Sequence, residues 1–156
     1  MGYALAAILI CGAIGWVIYY VSPPVARKRR SKALMAAWQQ DLAAAQAWMR
    51  LCSAEMANPN LRVAHVTECY GVYPRSGTKA WITWRQPQAG QDAWFDMQWP
   101  TQGCWVLLQG ETGYGPHNDN PDTFFVDHWL DVAPPGAPEA YQRCATANWA
   151  PPVPRA

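Results

Sequence analysis

The chain has 156 residues, of which 13% are aromatic, and a formal net charge of +1. Its ten Trp and seven Tyr exclude a disordered chain, and its 14 Pro argue against an all-helical bundle. From residue 33 onward, seven basic and eleven acidic residues give a net charge of −4, which argues against a nucleic-acid partner.

An apolar stretch without charges occupies residues 3–21. As a helix rising 1.5 Å per residue it spans about 28 Å, close to the roughly 30 Å core of a bilayer. Trp16, Tyr19 and Tyr20 lie at its C-terminal end, as is typical of a membrane interface. The stretch predicts one transmembrane helix in a single-pass membrane protein, with a cleaved signal peptide as the alternative.

A basic segment at 22–32 follows this stretch, and we expect its partner to be the anionic surface of the lipid bilayer. The positive-inside rule would place the following domain in the cytoplasm. An even number of domain cysteines instead fits disulfides in an oxidising compartment and slightly favours the extracytoplasmic side. Free buried thiols in a cytoplasmic domain are the alternative. The basic cluster is Arg27, Lys28, Arg29, Arg30 and Lys32, and the candidate disulfide cysteines are Cys52, Cys69, Cys104 and Cys144.

The soluble domain is predicted over 33–149, and residues 26–57 have the pattern of one long amphipathic helix. Apolar residues recur every three or four positions along it. We expect this stripe to pack against the rest of the domain; a seam for another helix is the alternative. Asn58 and Pro59 end the helix. The stripe is Leu34, Trp38, Leu42, Ala45, Met49, Cys52 and Met56.

After Asn60 the apolar period changes to two, which predicts β-strands with short, antiparallel connections. A short helix is expected at Pro138–Ala145 and an extended Pro-rich tail at 150–156. The prediction is therefore an α+β fold, in which the long helix packs on an antiparallel sheet of about four strands. The segments with this pattern are Leu61–Cys69, Lys79–Arg85, Asp92–Trp99, Cys104–Gln109 and Thr123–Asp131, the last of which also admits a short helix.

The richest polar cluster lies between His117 and Asp131. Carboxylates and imidazoles can form a metal or acid–base site. Pro121 interrupts the spacing of an EF-hand loop, and the required Glu is missing. The favoured interpretation is a solvated loop whose side chains cap their own backbone, so we assign no catalytic residue, metal or cofactor. The cluster comprises His117, Asn118, Asp119, Asn120, Asp122, Asp127, His128 and Asp131.

Three Trp residues are expected on the sheet face that does not form the core: Trp81, Trp94 and Trp105. Because Trp is favoured at interface hot spots, they are candidate partner-binding aromatics. The alternative is that helix and loops cover them.

The predicted function is a membrane-anchored, non-enzymatic binding or accessory module that contacts another protein at the cell envelope. A metal-dependent enzyme using the His117–His128 region is one alternative. In outline, an apolar N-terminal helix, an amphipathic extension and a cysteine-containing sheet are similar to type IV pilins. That resemblance implies a filament subunit, although no acidic residue precedes Asp41 and no family is assigned.

Overall fold

The computed structural model describes residues 23–114 and 120–152. The described part of the chain divides into two compact units, residues 23–40 with 150–152 and the described residues of 41–149. The elements are α1 (Pro23–Ala57), β1 (Arg62–Tyr73), β2 (Gly77–Trp84), β3 (Gly90–Asp96), β4 (Trp105–Thr112), β5 (Phe124–Ala133) and α2 (Ala137–Thr146).

The five strands close into a barrel in the order β1–β2–β3–β5–β4. Strands β1 to β3 form an antiparallel meander, and β4 returns beside β1, which makes a Greek key. Strand β5 closes the barrel by pairing parallel with β3 and antiparallel with β4. A five-stranded Greek-key barrel is also the architecture of OB-fold domains. Architecture alone does not assign a function.

The predicted antiparallel sheet of about four strands is therefore wrong in its strand number, its closure and its all-antiparallel pairing. The physical reason is that a period of two marks where a strand lies but not which strand it pairs with. The parallel contact between Ala93–Phe95 and Phe124–Val126 joins segments far apart in the chain, and it converts the expected sheet into a barrel.

Alternating residues of the strands fill the barrel interior, as expected for a small closed sheet. Its largest fully buried side chain is that of Phe95, in β3. The interior side chains are Ala64, Val66, Ala80, Ile82, Trp84, Ala93, Phe95, Cys104, Val106, Leu108, Phe124 and Val126.

The C-terminal part of α1 packs on the outer surface of the barrel, but not through the predicted stripe. Ala47 and Leu51 pack with Val63, Leu107 and Ala133, which point outward from β1, β4 and β5. The small Ala side chains let the helix approach the strands closely. Of the predicted stripe only Ala45 is buried, whereas Leu34, Met49 and Met56 are 49%, 36% and 75% exposed.

A charged pair fastens the same end of α1 to the barrel. One carboxylate oxygen of Glu55 accepts a 2.8 Å hydrogen bond from the backbone N–H of Val63, and the other accepts one of 2.6 Å from Nε of Arg85. The Glu55 and Arg85 side chains are 14% and 22% exposed. Little water competes for this pair, so it anchors the helix more firmly than a surface ion pair would.

No helix in the described part of the chain, residues 23–114 and 120–152, is long and apolar enough to cross a membrane. This finding corrects the assignment as a single-pass membrane protein. The predicted span at 3–21 lies outside the described residues, as does most of the predicted tail at 150–156.

The prediction of disulfide bonds is also wrong, because all four described cysteines are free. Cys52 lies in α1 and Cys144 in α2, whereas Cys69 of β1 packs against the barrel interior that contains Cys104. Burial raises the pKa of all four thiols, which keeps them protonated. They behave as small apolar side chains, so their even number says nothing about pairing, and the extracytoplasmic prediction loses its basis.

Candidate functional site

The three predicted partner-binding Trp residues lie at different places on the outside of the barrel. Trp81 is 41% exposed, and its ring lies against Gly90. Trp105 lies beneath α1, with its ring centroid 4.9 Å from that of Trp48. Trp94 is only 5% exposed although it points away from the interior. The structure thus does not bring the three together.

Trp94 marks a cleft of about 610 Å³ on the outer surface of β3, β5 and β4. Its ring also lines a smaller groove of about 250 Å³ with Tyr73 and Lys79, and the ring centroids of Trp94 and Tyr73 are 6.0 Å apart. A concave surface with aromatic rings and a few polar groups is typical of ligand sites. The cleft is lined by Trp94, Asp96, Gln109, Glu111, Gly113, Tyr114, Phe125, Val126, Asp127 and His128.

A β-bulge in β5 aims two polar side chains at this cleft. Gln109 pairs with His128, but the next residue, Gly110, pairs with Val126, so Asp127 is an extra residue in β5. A bulge breaks the alternation of faces, and such bulges often occur beside functional sites. As a result both Asp127 and His128 are exposed and line the cleft, while Val126 stays in the barrel interior.

Gly110 permits the close approach of β4 and β5 at the same point. A Cβ atom on Gly110 would lie 1.8 Å from the backbone carbonyl oxygen of Phe125, a contact that only glycine avoids. The neighbouring pair across these strands is Glu111 with Phe125, and both side chains line the cleft. The glycine therefore places a carboxylate beside an aromatic ring.

Hydrogen bonds between β3 and the β4–β5 connection fix the chain beside the cleft. Nε2 of Gln91 donates to the hydroxyl of Thr112 at 2.9 Å and to the backbone carbonyl of Asp122 at 2.8 Å. Nδ2 of Asn120 donates to Asp92 at 3.2 Å. These bonds hold both described ends of the β4–β5 connection. Tyr114 follows the first of these ends, and its exposed ring lies at the rim of the cleft.

Asp92 also connects β3 to β1 across β2. The hydroxyl of Tyr70 donates a 2.5 Å hydrogen bond to its carboxylate. Burial and this contact raise the pKa of the Tyr70 hydroxyl far above its usual value, so it stays protonated and remains a donor.

The formal charge of the cleft lining comes from carboxylates. Asp96, Glu111 and Asp127 supply three carboxylates, and no Lys or Arg is among the lining residues. The ion pairs in the described part of the chain involve Asp41, Glu55 and Asp131 instead. The cleft therefore combines unpaired negative charge with aromatic surface.

The predicted polar cluster is divided among several environments. His117, Asn118 and Asp119 lie outside the described residues. The side-chain oxygen of Asn120 accepts a 3.0 Å hydrogen bond from the backbone N–H of Asp122, the self-capping expected of a turn. Within residues 23–114 and 120–152, no group of three or more His, Cys, Asp or Glu side chains could hold a metal ion.

The basic cluster Arg27, Lys28, Arg29, Arg30 and Lys32 lies on the first turns of α1, and all five side chains are exposed. Sequence reasoning missed the cleft because its residues come from three strands. A local signal was nevertheless present in Phe124–His128, where two polar residues in succession break the apolar alternation. That break is the bulge.

No protein-family model matches this chain. Comparison with curated proteins also finds no match. Among solved structures, likewise, none matches.

Proposed function

We propose that this chain is a non-enzymatic binding module whose ligand is part of another protein chain, held in the cleft over β3, β5 and β4. The observation that supports this most is the position of Trp94. Its ring belongs to neither apolar core of the described chain, yet it forms part of a cleft bordered by Tyr114, Phe125 and several polar side chains. Because Trp94 is only 5% exposed, a partner would contact chiefly the exposed Tyr114 and the half-buried Phe125, and aromatic rings are typical anchors of protein interfaces.

The charge of the cleft limits the class of ligand that it can bind. Three carboxylates and the lack of any Lys or Arg in the cleft lining disfavour the phosphates of nucleic acids, although Arg62 lines an adjoining groove with Glu111 and Asp127. This argues against an oligonucleotide, even though Greek-key barrels of the OB type include oligonucleotide binders. The filament-subunit and metal-enzyme hypotheses stay predictions that nothing in the described residues tests.

The experiment that tests this function compares three forms of the full chain in affinity purification from the native host. They are the wild type, a cleft variant with Glu111→Lys and Asp127→Lys, and a control with Glu139→Lys, an exposed position on α2. Thermal melts first establish that all three are folded. Proteins that wild type and control retain but the cleft variant loses would support the proposal. Equal recovery by all three would contradict it.

A further inference from the structure

The cleft carboxylates are spread over three strands rather than gathered at one point. Asp96 ends β3, Glu111 lies in β4 and Asp127 is the bulged residue of β5. None of the three has an ion-pair partner in the described part of the chain. Their separation suits a ligand with more than one positive charge along its length.

The rings of the same cleft favour arginine among cationic side chains. Tyr114, 76% exposed, and the half-buried Phe125 line it together with the carboxylates, whereas Trp94, only 5% exposed, leaves little ring surface for stacking. A guanidinium group can stack on an aromatic face while it donates to a carboxylate. A lysine ammonium group can donate to a carboxylate, but it has no planar face to stack on a ring.

The described chain itself has an exposed segment that carries several positive charges and is rich in arginine. The basic cluster on α1, defined above, has three Arg and two Lys within six residues. Arg27 and Arg30 are three positions apart, so they are neighbours on one helix face, about 5–6 Å apart at their Cβ atoms. Like charges at this spacing repel each other, and an acidic partner relieves that repulsion.

We propose that the cleft of one chain binds the basic cluster of a second copy of the chain, with the side chains of Arg27 and Arg30 inserted. This inference rests on the proposed binding function and names its ligand. A cleft of about 610 Å³ accommodates side chains but not a whole helix, so α1 lies outside and only its Arg side chains enter.

Such a contact joins two different surfaces, so a dimer still has one unoccupied cleft and one unoccupied basic cluster. A head-to-tail contact of this kind closes into a ring or continues as an open chain, depending on the rotation between neighbours. It also depends on salt, because charges of this kind are largely screened at 1 M ionic strength, where the Debye length is about 3 Å.

The test is sedimentation velocity of the full chain over a concentration series at low salt. We expect the sedimentation coefficient to rise with concentration and to return to the monomer value in 1 M NaCl. Neutralising the cleft with Glu111→Gln and Asp127→Asn, or the cluster with Arg27→Gln and Arg30→Gln, should weaken self-association by about tenfold or more. Matched controls remove single exposed charges elsewhere, Glu139→Gln and Arg75→Gln, and these should leave it unchanged.

A mixture of the two double variants tests the head-to-tail arrangement. The cleft-deficient chain still offers a basic cluster, and the cluster-deficient chain still offers a cleft. At a concentration where each variant alone is monomeric, an equimolar mixture should therefore form dimers and nothing larger. A wild type that is monomeric at every concentration would overturn the inference. So would a mixture that fails to dimerise, or self-association insensitive to the cleft changes.

These outcomes are separate from those of the purification experiment. If self-association fails but wild type and control still retain proteins that the cleft variant loses, the cleft is a binding site for a different chain. The proposed function then stands and this inference does not. If the cleft variant loses nothing in purification, the proposed function itself fails.

Discussion

Replacing Glu55 with alanine tests how α1 is fastened to the barrel. The change leaves the backbone N–H of Val63, in a fully buried residue, without its 2.8 Å acceptor. An unsatisfied buried N–H costs about 1–3 kcal/mol. It also leaves the guanidinium of Arg85, 22% exposed, without its carboxylate. This adds about 1–2 kcal/mol, less than the 3–5 kcal/mol seen when a fully buried pair is broken. The higher helix propensity of alanine offsets this loss of unfolding free energy by a few tenths of a kcal/mol.

The expected net loss is about 3 kcal/mol in the free energy of unfolding, or a decrease of roughly 10 °C in Tm for a unit of this size. Urea unfolding followed by Trp fluorescence measures it. Glu55→Gln keeps an oxygen for the Val63 N–H and should lose less. Glu139→Ala, an exposed control, should change stability by less than about 0.5 kcal/mol. A loss below about 0.5 kcal/mol for Glu55→Ala would refute the reasoning.

Three further predictions concern packing, pH and thiols. Leu51→Ala should cost about 2–5 kcal/mol in urea unfolding because Leu51 is fully buried, whereas Leu34→Ala should cost little; equal losses would contradict the observed helix face. The hydrogen bond from Arg143 lowers the pKa of Asp41 below its ordinary value of 3.8, so wild type should be more stable than Asp41→Asn at pH 7. Because that contribution is lost as the pH falls through the lowered pKa, the difference should shrink below about pH 4, and a difference that grows on acidification would oppose this. Cys104 is buried, and burial raises the pKa of its thiol, so iodoacetamide should modify it only after the protein unfolds. Because the thiol is free, this modification should need no prior reduction; mass spectrometry measures both, and modification of the folded protein would contradict the prediction.

The local elements could be predicted from the sequence because they depend on periodicity and on turn residues. The long helix ends at Ala57, just before Asn58 and Pro59. Strand β2, observed at Gly77–Trp84, lies within two residues of its expected position. Self-capping at Asn120 also follows from residue type alone.

The errors concern interactions between distant residues. The parallel pairing of β3 with β5 closes the barrel, and no local pattern encodes it. The packed face of α1 depends on how closely the helix approaches β1, β4 and β5, which favours small Ala47 over bulkier Met49. An even number of cysteines predicts disulfides, but thiols such as that of Cys144 simply fill apolar space.

Part of the cleft could be predicted from the sequence, namely the part that depends on local patterns. The sequence predicts Trp94 as a binding aromatic, and Trp94 does line the cleft. Its polar partners Glu111 and Asp127 come from other strands, and the bulge that exposes Asp127 follows from pairing with β4. The break in alternation at Asp127 and His128 is the local sign of the bulge in the sequence.

Photocrosslinking from the cleft rim tests the central claim most directly. A benzoylphenylalanine residue replaces Tyr114, which is 76% exposed at the rim, and in a control it replaces the exposed Gln142 of α2. The account predicts crosslinks from position 114 but not from 142, and mass spectrometry should locate them at residues near the basic cluster of a second chain. Equal crosslinking from both positions, or none from position 114, would contradict the cleft as the binding site.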